Sequence, residues 1–303
     1  MTTVCRTVAT SAVLFVASAV LASPGSSVKN PKTPLPAPTY DSVAYGDHPM
    51  QKMDVWLPEG KGAPTPAIIF VHGGGFRNGD RKDSRLGERI PKCKAKRVAL
   101  VSVEYRLLKD AGDVKPPVRV CMDDVIAAIR FVRSKASEWN IDTSRIGLTG
   151  SSAGAHAVLY ASLTGDNEFG IRAVYTQYPQ TSIDPKEMRE WIPNSKYGAH
   201  LFGYPDFQTW LDHRAEVLPW IEKYSPAGLL RRCTPARAPA FVHDGPAAPK
   251  PGELAKDPTH SGTFRHKFAE ICAARGIVCR YGHHDALVAL LTADSGAKEP
   301  SIK

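Results

Sequence analysis

Continuous apolar runs that end in glycine-rich turns most constrain how this chain can fold. "PAIIFVHGGGF" carries the run Ala67–Val71 into a glycine cluster, and "VALVSVEY" (98–105) is a second run. A strand with no polar alternation is buried on both faces, as in a parallel sheet covered by helices. After these runs, Cys121, Val125, Ala128 and Val132 recur at helical spacing and give one apolar face. "RIGLTG" (145–150) predicts a short strand, and Ala153–Leu163 a helix of small and apolar residues. Further strand signals follow at "IRAVYTQ" (171–177), "APAFVHD" (238–244) and "GIVCRY" (276–281), with a helix over Phe264–Arg275. "QKMDVWLP", in contrast, alternates Met53, Val55 and Leu57 on one face, a half-buried strand. Strand–helix alternation of this kind predicts an α/β fold with a mostly parallel sheet.

The remaining segments set domain limits. Residues 1–22 carry Arg6, an apolar stretch Val8–Leu21 and a small residue at Ala22, the pattern of a secretory signal peptide. That stretch is too short for a good membrane span, so the mature chain is expected to be secreted or periplasmic, with no span. Residues 23–38 are rich in Pro and Ser and are expected to form a flexible arm, leaving 39–303 as the folded domain. Residues 179–230 interrupt the alternation with eight aromatics, among them Trp191, Tyr197, Trp210 and Trp220, and are expected to form a cap insertion. The loop 245–262 is rich in Pro and Gly.

The chain has a formal charge of +9, and its basic residues are dense in Arg77–Arg97. No aromatics interleave there, which argues for a solvated surface rather than a nucleic-acid interface. Of the six cysteines, Cys272 and Cys279 flank a short turn and form the best candidate for a disulfide. No CxxC pair with zinc spacing occurs, and neither a metal nor a cofactor is expected.

Gly150-Ser151-Ser152-Ala153-Gly154 is G-x-S-x-G at a strand-to-helix junction. A serine aimed out of the carboxyl edge of a sheet needs a sharp turn, and side chains at the flanking glycines would clash. The turn also sets Ser152 at a helix N-terminus, where free amides stabilise negative charge. Upstream, "HGGGF" (72–76) offers backbone amides for a developing oxyanion. Together these stretches resemble an α/β-hydrolase of the HGGG esterase/lipase group, near its carbohydrate-esterase and feruloyl-esterase-like members. "YGDHPMQKMDVWLPEG", "VSVEYRL" and "YSPAGLL" extend the likeness over most of 39–230.

The resemblance implies an α/β-hydrolase fold with an eight-stranded, mostly parallel sheet. It implies Ser152 as nucleophile, and Gly73, Gly74 and Ala153 as oxyanion donors, with His72 shaping the turn. Triad order in this fold is Ser, acid, His. The base is therefore expected late in the chain, where His283 and His284 follow the last strand; His284 is the first choice. His260 and His266 read as loop and helix-surface residues. Two aspartates compete as the acid. Asp257 opens a D-P turn whose distance to Gly276 resembles the family's, and Asp244 stands at a strand end. The expected activity is hydrolysis of small-molecule or polysaccharide carboxylic esters. A serine peptidase, or a non-catalytic binding protein on the same fold, is the alternative.

Overall fold

A computed structural model describes residues 35–60 and 62–293. The signal-peptide expectation for 1–22 and most of the arm lie outside the described residues. The end of the arm is anchored: Trp56 Nε1 donates to Pro36 O at 2.9 Å, and Leu35 packs against the core.

Eight strands form one sheet in the order β1-β2-β4-β3-β5-β6-β7-β8. They are β1 (Tyr40–Ala44), β2 (Lys52–Trp56), β3 (Thr65–Val71), β4 (Ala99–Val103), β5 (Ile141–Ser151), β6 (Ile171–Gln177), β7 (Ala240–Asp244) and β8 (Cys279–Tyr281). The β1–β2 and β2–β4 pairings are antiparallel, and the remaining five pairings are parallel. With the helices on both faces, this is the α/β-hydrolase fold.

The continuous apolar runs are explained by the two layers. All seven residues of β3 and all five of β4 are buried. Side chains alternate across a strand, so Ala67, Ile69 and Val71 enter one core while Ile68 and Phe70 enter the other. The first core is covered by α2 (Val118–Ser134), α3 (Ala153–Leu163) and α8 (Gly262–Ala274). The second is covered by α1 (Leu86–Ala95) and α9 (His284–Thr292). α3 is buried at every position, as expected for a helix without a polar face. α9 lies so close to β5 that a Cβ at Gly147 would meet Leu291 Cδ1 at 2.7 Å.

Between β6 and β7 the chain forms α4 (Pro185–Trp191), α5 (Phe207–Asp212), α6 (Arg214–Tyr224) and α7 (Pro226–Arg232). Three of its aromatics pack on one another: Phe202 stacks on Trp210 at 5.3 Å and Phe207 meets the same ring edge-on at 5.5 Å. The five cysteines among the described residues are thiols. Cys272 and Cys279 interact with each other without the expected disulfide. Among the described residues no helix is long and apolar enough to cross a membrane.

Candidate active site

The β5–α3 turn is built as its glycines require. Ser152 has φ 51° and ψ −121°, a conformation that L side chains rarely adopt. Its N–H donates to Gln177 O at 2.9 Å, and its carbonyl accepts from His156 N at 3.0 Å. A Cβ at Gly154 would collide with the backbone of Val71 and His72, so the helix can approach β3 only with glycine there.

His260 stands opposite the serine. Its Nε2 lies 3.0 Å from Ser152 Oγ, and its Nδ1 lies 2.8 Å from Asp257 Oδ2. The other carboxylate oxygen, Oδ1, accepts from the amides of Thr259 at 3.0 Å and His260 at 3.2 Å. One carboxylate thus closes the D-P-T-H turn and holds the ring. Partial burial pushes the Asp257 carboxyl up, but the hydrogen bonds from His260 and Thr259 outweigh it and keep the group below the usual carboxylate range. The turn is tied to the body of the protein by Gln180 Nε2, which donates to Thr259 O at 2.8 Å. Asn194 Nδ2 does the same for Ala255 O at 2.8 Å.

The HGGG turn is braced from below. His72 Nε2 lies 2.8 Å from Glu104 Oε1, its ring stacks on Tyr105 at 4.3 Å, and Tyr105 donates its hydroxyl to His72 O at 2.9 Å. Arg81 bonds both Glu104 Oε2, through its amide at 3.2 Å, and Asp54 Oδ1, through Nε at 2.9 Å. Gly73 adjoins Ser152: a Cβ there would lie 3.4 Å from Ser152 Cβ. Ala153 opens α3, so its N–H belongs to the first-turn amides without an intrahelical acceptor. Gly74 and Gly75 line a cavity of about 650 Å³ together with Ser152, Tyr178, Tyr197 and His260. Of the cap aromatics, Tyr197 is the one that reaches this cavity's lining.

The expected histidine has to be corrected. His284 is buried, meets Tyr175 edge-on at 5.6 Å, and has no hydrogen-bond partner at either ring nitrogen. Burial pulls its pKa down to about 3. His283 is exposed and lies 3.4 Å from Asp244 Oδ2. Asp244 is further held by Tyr175 Oη at 2.9 Å and Gly245 N at 2.7 Å. None of these three residues bonds Ser152; they share a separate cavity with α1. The physical reason is the loop after β7, which returns over the serine and brings its own histidine. The missed signal was the spacing in "DPTH": an aspartate three residues before a histidine can cap a turn and bond the ring at once. The order Ser152, Asp257, His260 still follows the rule for this fold. Sequence reasoning also missed Glu104 and Arg81 under the oxyanion turn.

Comparison with known proteins agrees with the fold. Residues 53–200, just under half of the chain, match the BD-FAE family model. A probable isoprenylcysteine alpha-carbonyl methylesterase of Arabidopsis thaliana is 32% identical over 116 residues, covering 38% of this chain and 23% of that protein. Esterase LipC of Mycobacterium tuberculosis is 31% identical over 143 residues, covering 47% and 34%. The chain therefore spans about a quarter to a third of the length of these curated relatives. Among solved structures, a truncated carbohydrate esterase from gut microbiota superposes with a TM-score of 0.60 at 19% identity, over 80% of this chain and 85% of the other. By its strand order, its serine turn and these likenesses, the chain has the α/β-hydrolase fold and is similar to esterases.

Proposed function

We propose that the protein hydrolyses carboxylic esters through an acyl-enzyme on Ser152. One observation carries the reading: a strained serine whose Oγ is 3.0 Å from His260 Nε2, with that ring 2.8 Å from Asp257, at the wall of an open cavity. His260 takes the serine proton as Oγ attacks the ester carbonyl. Asp257 holds the ring with Nε2 facing the serine and stabilises the imidazolium. Amides of Gly73, Gly74 and Ala153 receive the oxyanion. The imidazolium then protonates the leaving alcohol. A water that gives its proton to His260 releases the acid and restores Ser152.

The substrate is an ester that presents a ring to the tyrosines. Tyr178 and Tyr197 flank the cavity and offer flat faces to an aryl or sugar ring. The likeness to a carbohydrate esterase supports acyl groups on carbohydrate, and the sequence of residues 1–22 supports action outside the cell. We read the segment 179–230 as the cap that brings Tyr197 to the site. The test is a fluorophosphonate probe followed by an ester panel of aryl acetates, acetylated xylan and methyl ferulate. Labelling at Ser152 with turnover of at least one ester class is expected. An unlabelled Ser152 in folded protein would overturn the reading.

A further inference from the structure

The basic segment Arg77–Arg97 contains a residue that a solvated surface does not explain. Arg89, on α1, is only 8% exposed. Its guanidinium lies over the rings of Phe70 and Tyr175, each at 5.6 Å, and donates to the neutral Gln177 Oε1 at 2.8 Å. Among the described residues no carboxylate stands within ion-pair distance of it. Asp83 acts on it only from beyond ion-pair distance and is itself paired with Arg85, so the cost of burying this cation is only partly offset.

The cavity beside Arg89, of about 420 Å³, brings a second unsatisfied element to the same place. α9 begins there without a side-chain cap, and of its first-turn amides that of Ala286 donates to His283 O at 3.0 Å, which leaves those of His284 and Asp285. The first residue of that helix, His284, is 7% exposed, lines the cavity, and leaves both ring nitrogens unpartnered. The other charges around the cavity are largely spoken for. Arg85 is paired with Asp83 at 2.5 Å, Lys92 with Asp285 at 3.6 Å, and Asp244 with Tyr175 and His283. Glu88 stands exposed on α1. Of the charged side chains in the wall, Arg89 and the solvent-exposed Glu88 are the two in no ion pair.

We propose that this cavity is an oxyanion-binding site, in which a carboxylate or a tetrahedral phosphate or sulfate sits between the Arg89 guanidinium and the N-terminus of α9, with His284 donating a ring N–H. The donors are of the kind that recognise such groups: a planar guanidinium, helix amides and a neutral imidazole. Gln177 lines this cavity and Tyr178, the next residue, lines the Ser152 cavity, so the two sites lie on either side of the β6 end. An anion here is accommodated without entering the serine pocket, and the proposal does not depend on the chemistry at Ser152.

The experiment is calorimetric titration of the full chain with inorganic phosphate and, separately, with galacturonate against galactose, in chloride at matched ionic strength. Saturable binding of phosphate, or of galacturonate but not galactose, is expected. The first result marks a free tetrahedral anion as ligand and the second a uronate. Arg89→Met and His284→Leu should each weaken binding about tenfold or more. Arg89 also supports two rings, so folding of its variant is checked by circular dichroism. His284→Leu replaces an unpartnered buried ring by an apolar side chain, which keeps the test available if Arg89→Met does not fold. Absence of saturable binding by both probes, or binding unchanged in His284→Leu, overturns the proposal.

Discussion

The two cavities at the carboxyl edge of the sheet hold similar residues in different states of organisation. On one side of the β6 end, Ser152, His260 and Asp257 form an unbroken chain of hydrogen bonds. On the other, Asp244 at the end of β7 and His283 just past β8 also meet, at 3.4 Å, but no serine joins them. Both have an aspartate and a histidine; only the first has them on a loop that folds back over the nucleophile. A strand end fixes where a side chain starts, whereas the loop decides what it reaches.

The sharpest way to break this comparison is at the nucleophile. Ser152→Ala should lower aryl-acetate turnover by about 10⁴ or more, while Ser151→Ala, one residue earlier on β5, should lose far less. The measurement is kcat on both variants; a dead Ser151→Ala with an active Ser152→Ala would move the nucleophile. Next come the histidines. His260→Ala should cost about 10³–10⁴ in kcat, while His283→Ala stays within a few-fold of wild type. If His283→Ala is the inactive one, the strand-end pair is the working pair after all. The acids should divide likewise. Asp257→Asn keeps the shape but upsets the ring's tautomer, and should cost about 10³–10⁴ in kcat. Asp244→Asn should register mainly as a lower melting temperature, since its carboxylate accepts from Tyr175 and the Gly245 amide. The smallest effect is expected at Tyr197, whose buried hydroxyl has no partner in the structure. Tyr197→Phe should alter KM for a carbohydrate ester by a few-fold and leave kcat for a small aryl acetate nearly unchanged.

What the sequence reveals follows from how locally each feature is determined. β3 and β4 are legible because burial on two faces leaves no polar residue to interrupt the run. The serine turn is legible because Gly150 and Gly154 are dictated by contacts that no side chain could survive. β1 leaves little trace: as an edge strand with exposed Tyr40, Asp41 and Ala44, it carries no buried pattern. His260 was passed over because its role depends on the path of residues 245–256. That path is held by Gln180 and Asn194, 79 and 61 positions away from the carbonyls they bind, and no periodicity reports such contacts. His283 and His284 stand after the last strand, where triad order places the base, but that is a statement about topology and not about where a ring points.

Asp257 and His260 are three residues apart on a single turn, and the aspartate also binds two amides of that turn. As the proposed acid and base they form a tethered pair that opens as one piece. If the loop lifts, the distance to Ser152 grows while the imidazole keeps its carboxylate. Local opening of 245–261 would then switch the enzyme off reversibly, well below global unfolding, and hydrogen exchange at the Thr259 and His260 amides would report its free energy. A pair split between two strand ends has no such common hinge, because either half can be displaced without the other.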